Sequence, residues 1–363
     1  MTTISRETVG LAEAGDRLWD ALIHCDETHA VTTVRTAVSA FDGDVCAAVE
    51  HVLLGLIAPA QARVGRAWAA NELTVAQEHA ATAINERCVA ALVDDAADAL
   101  PAPARGRAVV ACVDGEWHAL PARLVAEVLR LRGWRVDYLG AQVPTDHLVA
   151  HLHESGAETV LLSSSLPSHL PTAHSAISAC LAIGVPVVAG GAAFGPGGRY
   201  ARLLKAQWAG DAAAAADLLA KGLRRPRPEA AHLPDLDLPH LKDQEYTMVR
   251  RTRTHLVKQA LADVEHGFAA MRSYDERRRE RTAEDLDHIV GFLATALYVD
   301  DADLFTTFVT WTAGILSARG VPPQCLLPAL DSLRHQLGDF PRAVGILTAA
   351  RHALVVPPPG RAA

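Results

Sequence analysis

The sequence predicts an α/β domain of the doubly wound type set between two all-α segments. Three observations predict it. Residues 107–223 alternate short apolar runs with amphipathic stretches of 10 to 15 residues. The segments on either side carry apolar residues at helical spacing instead. Ala, Leu and Val dominate an apolar content of 50%, while aromatic residues make up only 5%. A chain of 363 residues is long enough for two or three separate cores.

Residues 10–100 read as a helical bundle. Leu53, Leu54, Ile57, Val64 and Trp68 recur at helical spacing, with Pro59 interrupting the run or opening a new helix. Thr74-Val75-Ala76-Gln77 has the form of a capping box, so a fresh helix starts at Thr74. The stretch 94–107 is a Pro/Ala linker.

The α/β domain occupies residues 104–223. Its strands are RAVVACV, WRVDYLG, TVLLSSS, VPVVAGG and AQWAG, and PARLVAEVLRLRG is an amphipathic helix ended by Gly133. Apolar strands joined by helices imply a parallel sheet covered on both faces. Five strands in this length fit a flavodoxin-like order of 2-1-3-4-5. Residues 224–240 hold four prolines in a polar stretch and form an inter-domain linker. From 241 to 357 the chain is helical again. Ile289, Phe292, Leu293, Ala296 and Leu297 form one stripe; Leu304, Phe308, Trp311 and Ile315 form the next, closed by Gly320, Pro322 and Pro323.

A formal charge of −8 argues against a general polyanion binder, and the local arginine clusters (Arg250, Arg251 and Arg253; Arg277, Arg278, Arg279 and Arg281) read as solvated helix faces. The six cysteines are scattered, without a Cys-x-x-Cys pair, which suits a reducing cytoplasm. The N-terminus has no secretory pattern and no run reaches the length of a membrane span. The expected location is cytoplasmic.

The chemistry lies in three loops after strands. Asp114-Gly115-Glu116-Trp117-His118 follows strand one, Ser163-Ser164-Ser165-Leu166 ends strand three, and Gly190-Gly191 ends strand four. In a 2-1-3-4-5 sheet the crossovers from strands one and three diverge, leaving a crevice at their carboxyl ends. A lone loop histidine is usually structural and a Gly-Gly usually a turn; their order and spacing together point to one ligand, and resemble those of domains that hold cobalamin through its cobalt. His118 can replace cobalamin's own benzimidazole as lower ligand to cobalt. The displaced nucleotide tail then needs a slot lined by small residues, with hydroxyls from Ser164 and Ser165 and close backbone approach at Gly190 and Gly191. A ligating histidine usually holds a carboxylate on its other nitrogen; Glu116 is the first candidate and Asp114 the second.

This stretch resembles the cobalamin-binding domains of methionine synthase, corrinoid methyltransferases and the light-sensing regulator CarH, whose signature is Asp-x-His-x-x-Gly, Ser-x-Leu and Gly-Gly. Here Glu116 stands for the Asp and Pro121 for the last Gly. Trp68, followed after nine intervening residues by Glu78-His79, closely resembles the upper-face signature of CarH-type photoreceptors. On one unbroken helix Trp68 and Glu78 would stand about 15 Å apart; a break before Thr74 folds them together. The resemblance implies adenosylcobalamin, with Trp68 over the adenosyl group, Glu78 on its ribose, and cobalt–carbon photolysis as the signal. Ala69 occupies the position where CarH-like proteins carry a second histidine, so water or His79 would take the vacated upper site. The cobalamin site so drawn comprises Trp68, Glu78, His79, Asp114, Glu116, Trp117, His118, Ser163, Ser164, Ser165, Leu166, Gly190 and Gly191.

Cap, cobalamin domain and C-terminal helical module together resemble the photocobilins, which bind a linear tetrapyrrole such as biliverdin in a globin-like domain. CarH joins such a unit to an N-terminal DNA-binding domain; with the cap beginning near residue 10, no direct DNA binding is expected here. It implies a bilin among Arg251, His288, Phe292, Tyr298, Phe308 and Trp311, with Arg250 or Arg253 as further partners for propionates; an aromatic core with solvated arginines is the plain alternative. Cys325 offers a thioether position or a buried structural thiol. The expected protein is a sensor rather than an enzyme, signalling to a separate protein, with a homodimer as one candidate assembly. A methyl-carrying corrinoid protein for methyltransferases and an anti-repressor interaction protein are the competing readings.

Overall fold

Asp26, Asp44 and Thr74 set where three helices of the first segment begin. Asp26 accepts the His29 N–H at 2.9 Å and Asp44 the Ala47 N–H at 3.1 Å. Thr74 and Gln77 satisfy each other's backbone N–H groups, as the capping box requires. The computed structural model describes residues 6–224, 238–267 and 275–356. Its first helices are α1 (Arg6–Ile23), α2 (Glu27–Ser39), α3 (Val45–Val52), α4 (Ala58–Ala69) and α5 (Val75–Asp95). Helix α5 therefore takes the first residues of the stretch read as a linker.

Pro59 does not break its helix. Residues Leu53–Ile57 form a π turn between α3 and α4, in which Ala58 N–H reaches back five residues to Leu53 O. Pro59 lacks an N–H and its ring crowds the preceding turn; the wider π turn absorbs both without ending the helix. This corrects the expectation that no run is long and apolar enough to cross a membrane: Val45–Ala69 is. Here it serves as a core helix of the bundle, with Val49, Val52, Leu53, Leu56, Ile57 and Val64 buried.

The sheet follows the expected order, β2-β1-β3-β4-β5, with all pairings parallel. Its strands are β1 (Arg107–Val113), β2 (Arg135–Val143), β3 (Thr159–Ser163), β4 (Val187–Gly190) and a two-residue β5 (Gln207–Trp208). The connecting helices are α6 (Ala119–Leu131), α7 (Thr145–Ser155), α8 (Leu170–Ala182), α9 (Arg199–Leu203) and α10 (Ala212–Ala220). β1 and β3 are central, so nearly every residue in them is buried.

Helix α6 packs against both bundle and sheet, which lie in one compact unit. Ala122, Ala126, Val128 and Leu129 pack on the sheet. Leu120, Leu124 and Leu131 join the core of the bundle. Arg132, just past its end, donates to Glu50 of α3 at 2.5 and 2.9 Å and to Asp217 of α10 at 2.5 Å.

The second unit is all-α: α11 (Glu245–Gly267), α12 (Glu276–Val299), α13 (Ala302–Ala318), α14 (Leu327–Gln336) and α15 (Pro341–Val355). The buried carboxylate of Glu245 accepts the Arg342 and Ala343 N–H groups at 3.1 and 2.8 Å, tying α11 to the start of α15. On α13 the buried residues are Leu304, Phe305 and Val309. Of the stripe read from the sequence only Leu304 is among them; Phe308 and Ile315 are half-buried and Trp311 is 50% exposed. Apolar residues lie on more than one face of this helix, so spacing alone could not choose the inner one. Most of the Pro-rich linker, and residue 357 at the far boundary, lie outside the described residues.

Candidate cofactor site

His118 is the N-cap residue of α6, directly after the β1 loop. Glu116 is fully buried beneath it. One carboxylate oxygen, Oε1, takes both the His118 backbone N–H at 2.9 Å and the ring Nδ1 at 2.5 Å. The other, Oε2, accepts from Ser165 N at 2.6 Å, Leu166 N at 3.2 Å and Ser164 Oγ at 3.2 Å. One carboxylate thus joins the β1 loop to the β3 loop, and Asp114, exposed at the surface, has no part in it. Because a carboxylate only accepts, Nδ1 must carry the proton, and Nε2 is the nitrogen left for a ligand. The His118 side chain is 55% exposed, so that nitrogen is accessible.

The electrostatics agree. Burial by itself would raise the Glu116 pKa, but the hydrogen bonds from His118, His169 and the backbone outweigh it and hold the carboxyl well below the usual range. His118 is shifted upward, first by its bond to Glu116, against the cost of burial, and then by the charges of Glu116 and Glu78. The helix that His118 caps also packs on the bundle, through Leu120 and Leu124. Pro121, which departs from the motif, falls in the first turn of α6, where backbone N–H groups have no helical acceptor and proline costs little.

The β3 and β4 loops interlock. Ser163 pairs with Gly190 across the sheet, and Ser164 N–H donates to Gly190 O at 3.1 Å. Gly191 has φ +99°, and a Cβ there would stand 2.2 Å from Ser164 O, so only glycine fits. Below these loops lies an apolar cavity of about 200 Å³, lined by strand ends, by α6 and α10, and by Ser163, Gly190 and Gly191. Trp117 and Leu166 flank His118 as exposed apolar side chains, 73% and 38% accessible.

In the bundle, Trp68 ends α4 half-buried. Glu78 lies in the first turn of α5, where its carboxylate accepts from His79 Nδ1 at 2.6 Å and Thr82 Oγ1 at 3.0 Å. His79 itself is largely exposed. Two features escaped the sequence reading. Thr82 also accepts from Gln61, and Gln61 from Asn85, each at 2.8 Å, so a polar chain between α4 and α5 orients Glu78. His169 brings a second imidazole to 3.5 Å from Glu116 Oε2. Neither carries a sequence signal beyond a polar residue on a helix or in a turn.

The six C-terminal residues divide. Phe292 and Phe308 stack at 3.7 Å between ring centres. His288 lies one turn before Phe292, and Trp311 one turn after Phe308; both are exposed. Tyr298 belongs elsewhere, stacked on His240 at 4.0 Å and against Tyr246 at 4.8 Å. Arg251 is exposed, while Arg253 holds Asp287 through two hydrogen bonds at 2.5 Å. Cys325 is half-buried, and burial pushes its thiol up.

These features fit a metal already held in a macrocycle. Among the described residues no three His, Cys, Asp or Glu side chains gather to bind a bare ion, yet one imidazole stands oriented by a buried carboxylate beside an apolar slot. Comparison with known proteins agrees. Residues 106–218 match the model of the B12 binding domain, and residues 14–93 match a second model of the same description. The chain is a cobalamin-binding protein with two B12-binding domains. Over 123 residues it is 32% identical to the HTH-type transcriptional repressor CarA of Myxococcus xanthus, covering 33% of this chain and 41% of that relative. The chain thus spans under half the length of that protein. Similar solved structures include the monomethylamine corrinoid protein of Methanosarcina barkeri (18% identical, TM-score 0.48, 58% of this chain and 99% of the other). A second is the methanol:cobalamin methyltransferase complex of the same organism (16% identical, TM-score 0.32, 64% and 92%).

Proposed function

We propose that this protein is a light sensor that holds adenosylcobalamin with His118 as lower ligand to cobalt and the cofactor's own base displaced. When bound, the cofactor supplies a light-labile cobalt–carbon bond. One observation carries the reading: α6, the helix that His118 caps, packs into the bundle core through Leu120 and Leu124, so the cap adjoins the loop that presents the imidazole. Glu116 fixes the His118 ring through Nδ1 and keeps Nε2 directed outward. Trp68 and Glu78 cover the opposite side, the indole excluding water and the carboxylate accepting from ribose hydroxyls. Ser163, Gly190 and Gly191 border the space for the displaced tail, whereas the hydroxyl expected from Ser164 is given to Glu116 instead. Asp114 takes the role of a surface residue of the loop.

The C-terminal helices are read as a globin-like module for a second, biliverdin-type chromophore. The stacked pair Phe292 and Phe308, with His288 and Trp311 a turn away on their respective helices, supports that reading. Arg251, exposed on α11, is read as a partner for a propionate; Tyr298 is assigned to the packing around His240 and Tyr246. The protein acts as a sensor without catalysis, passing its signal to a separate partner. A methyl-carrier role would leave Trp68 and Glu78 without a task.

Reconstitution with adenosylcobalamin and biliverdin, followed by illumination, tests this. Green light should change the cobalamin spectrum irreversibly under air, and deletion of residues 241–363 should remove red absorbance while sparing cobalamin. A cobalamin spectrum indifferent to light would reject the sensor. Absence of red absorbance in the full chain would reject the second chromophore.

A further inference from the structure

The wall of the apolar slot is not made by the sheet domain alone. Leu54 and Ala58, on the π turn and the start of α4, line it beside Pro121, Leu124 and Val125 of α6. The π turn accounts for this. Leu53, Leu56 and Ile57 keep their place in the bundle core, whereas Leu54 packs against the core of the sheet domain. A turn closed by an i→i+5 bond holds an extra residue and lets neighbouring residues of one helix serve two cores. The sequence cause is Pro59, which forbids the normal α-helical bond at this point.

We propose that Leu54 and Ala58 are specificity-determining residues that close the nucleotide slot from the bundle side and make it select a cobamide with an apolar, methylated benzimidazole base over one with an amino-substituted purine. The inference rests on the reading that the tail leaves cobalt and enters this slot. A cavity of about 200 Å³ suits a bicyclic base rather than a whole ligand. Its side-chain polar groups are Ser163 and Asp211, and Asp211 already accepts the Ala214 N–H at 2.7 Å as the cap of α10. A purine amine brings donors and ring acceptors that this wall largely cannot match. Each polar group buried without a partner costs roughly 10- to 100-fold in affinity. Methyl groups on a benzimidazole, by contrast, gain from contact with Leu54.

The geometry has a second consequence. Leu54 and Trp68 stand on one continuous helix, so a tail seated against Leu54 also holds the helix that carries the upper-face indole. Occupancy of the slot should therefore stiffen the cap.

The test compares the full chain with Leu54→Ser and Ala58→Leu for binding of three corrinoids: cobalamin, the adenine-base analogue, and cobinamide, which has no nucleotide. The native chain should prefer cobalamin over the adenine analogue by about tenfold or more. Leu54→Ser should weaken cobalamin about tenfold and narrow that preference, and Ala58→Leu should exclude the tail, while cobinamide affinity stays within about twofold in both. Cobalamin, but not cobinamide, should also protect Val45–Ala69 from proteolysis. Equal native affinity for the two bases, or equal losses for cobinamide and cobalamin, would overturn the proposal. The absorption spectrum separates the two readings. A native complex with its benzimidazole still on cobalt overturns base displacement and this inference together, whereas an imidazole-ligated complex without base preference overturns this inference alone.

Discussion

The carboxylate of Glu116, fully buried, lies 2.5 Å from Nδ1 of His118 and accepts from the β3 loop with its other oxygen. The same acid therefore orients the ligand, fixes its tautomer and locks two loops of the crevice. Its loss should be felt in binding and in stability alike.

Glu116→Gln tests that dual role. The amide can still accept one bond, but its NH₂ group must then face the Ser165 and Leu166 N–H donors. Cobalamin affinity is expected to fall about 10- to 100-fold, with the chain destabilised by about 1–3 kcal/mol. Equilibrium dialysis and urea unfolding measure the two; native affinity in the variant would remove Glu116 from the site.

The pH dependence of the cofactor-free protein follows from His118. Its folded pKa is raised above the ordinary 6.5, so the stabilisation it contributes is complete below that value and is lost as pH rises through the folded pKa. The stability difference between native protein and His118→Asn should be largest below about pH 6.5 and shrink as pH rises above it. Glu116, lowered from 4.5, acts in the opposite direction, its contribution fading only in acid. A difference that stayed constant across the neutral range would contradict the ion pair.

Gly190 and Gly191 should respond differently to alanine. At Gly191 the added Cβ meets Ser164 O at 2.2 Å with φ +99°; at Gly190 the nearest atom is Ala209 O at an ordinary 3.5 Å. Gly191→Ala is expected to cost at least about 1–3 kcal/mol from backbone strain alone, and to abolish cobalamin retention. Gly190→Ala should fold near the native melting temperature. Equal melting temperatures for the pair would refute the close approach.

Arg132 ties bundle to sheet through Glu50 and Asp217. Arg132→Met keeps the aliphatic stem and removes the charge-assisted bonds, so a loss of about 1.5–3 kcal/mol is expected. Calorimetry would then show two transitions within residues 6–224 in place of one. A single unchanged transition would mean that the α6 contacts hold the unit without this clamp.

Trp68→Ala should retain cobalamin through His118 and lose its preference for the adenosyl form. Titration with adenosyl- and methylcobalamin measures the ratio; a ratio equal to the native one would count against the cap.

Much of this was legible in the residues. The order of the sheet, the capping box at Thr74, the His118 loop and the Gly-Gly turn all declare themselves through local chemistry. The π turn was not legible as such, because a proline in a helical run marks a disturbance without stating how the backbone resolves it. Nor could the inner face of α13 be chosen, since Phe308, Val309 and Trp311 offer apolar surface in several directions. The sharing of α6 between two cores was hidden for a similar reason: its Leu and Ala positions satisfy an amphipathic pattern whichever neighbour covers them.

By itself, the sequence singled out His118 as the candidate ligand, Glu116 as its carboxylate and the glycines that let two loops meet, because each is a property of residue type at a fixed offset along the chain. Only the tertiary structure decided that α6, the helix His118 caps, also packs on the bundle, that Leu54 closes a slot built mainly by another segment, and that Tyr298 parts company with Phe292. Those are contacts between residues distant in sequence, selected by which buried surfaces find partners, and no local pattern encodes that choice.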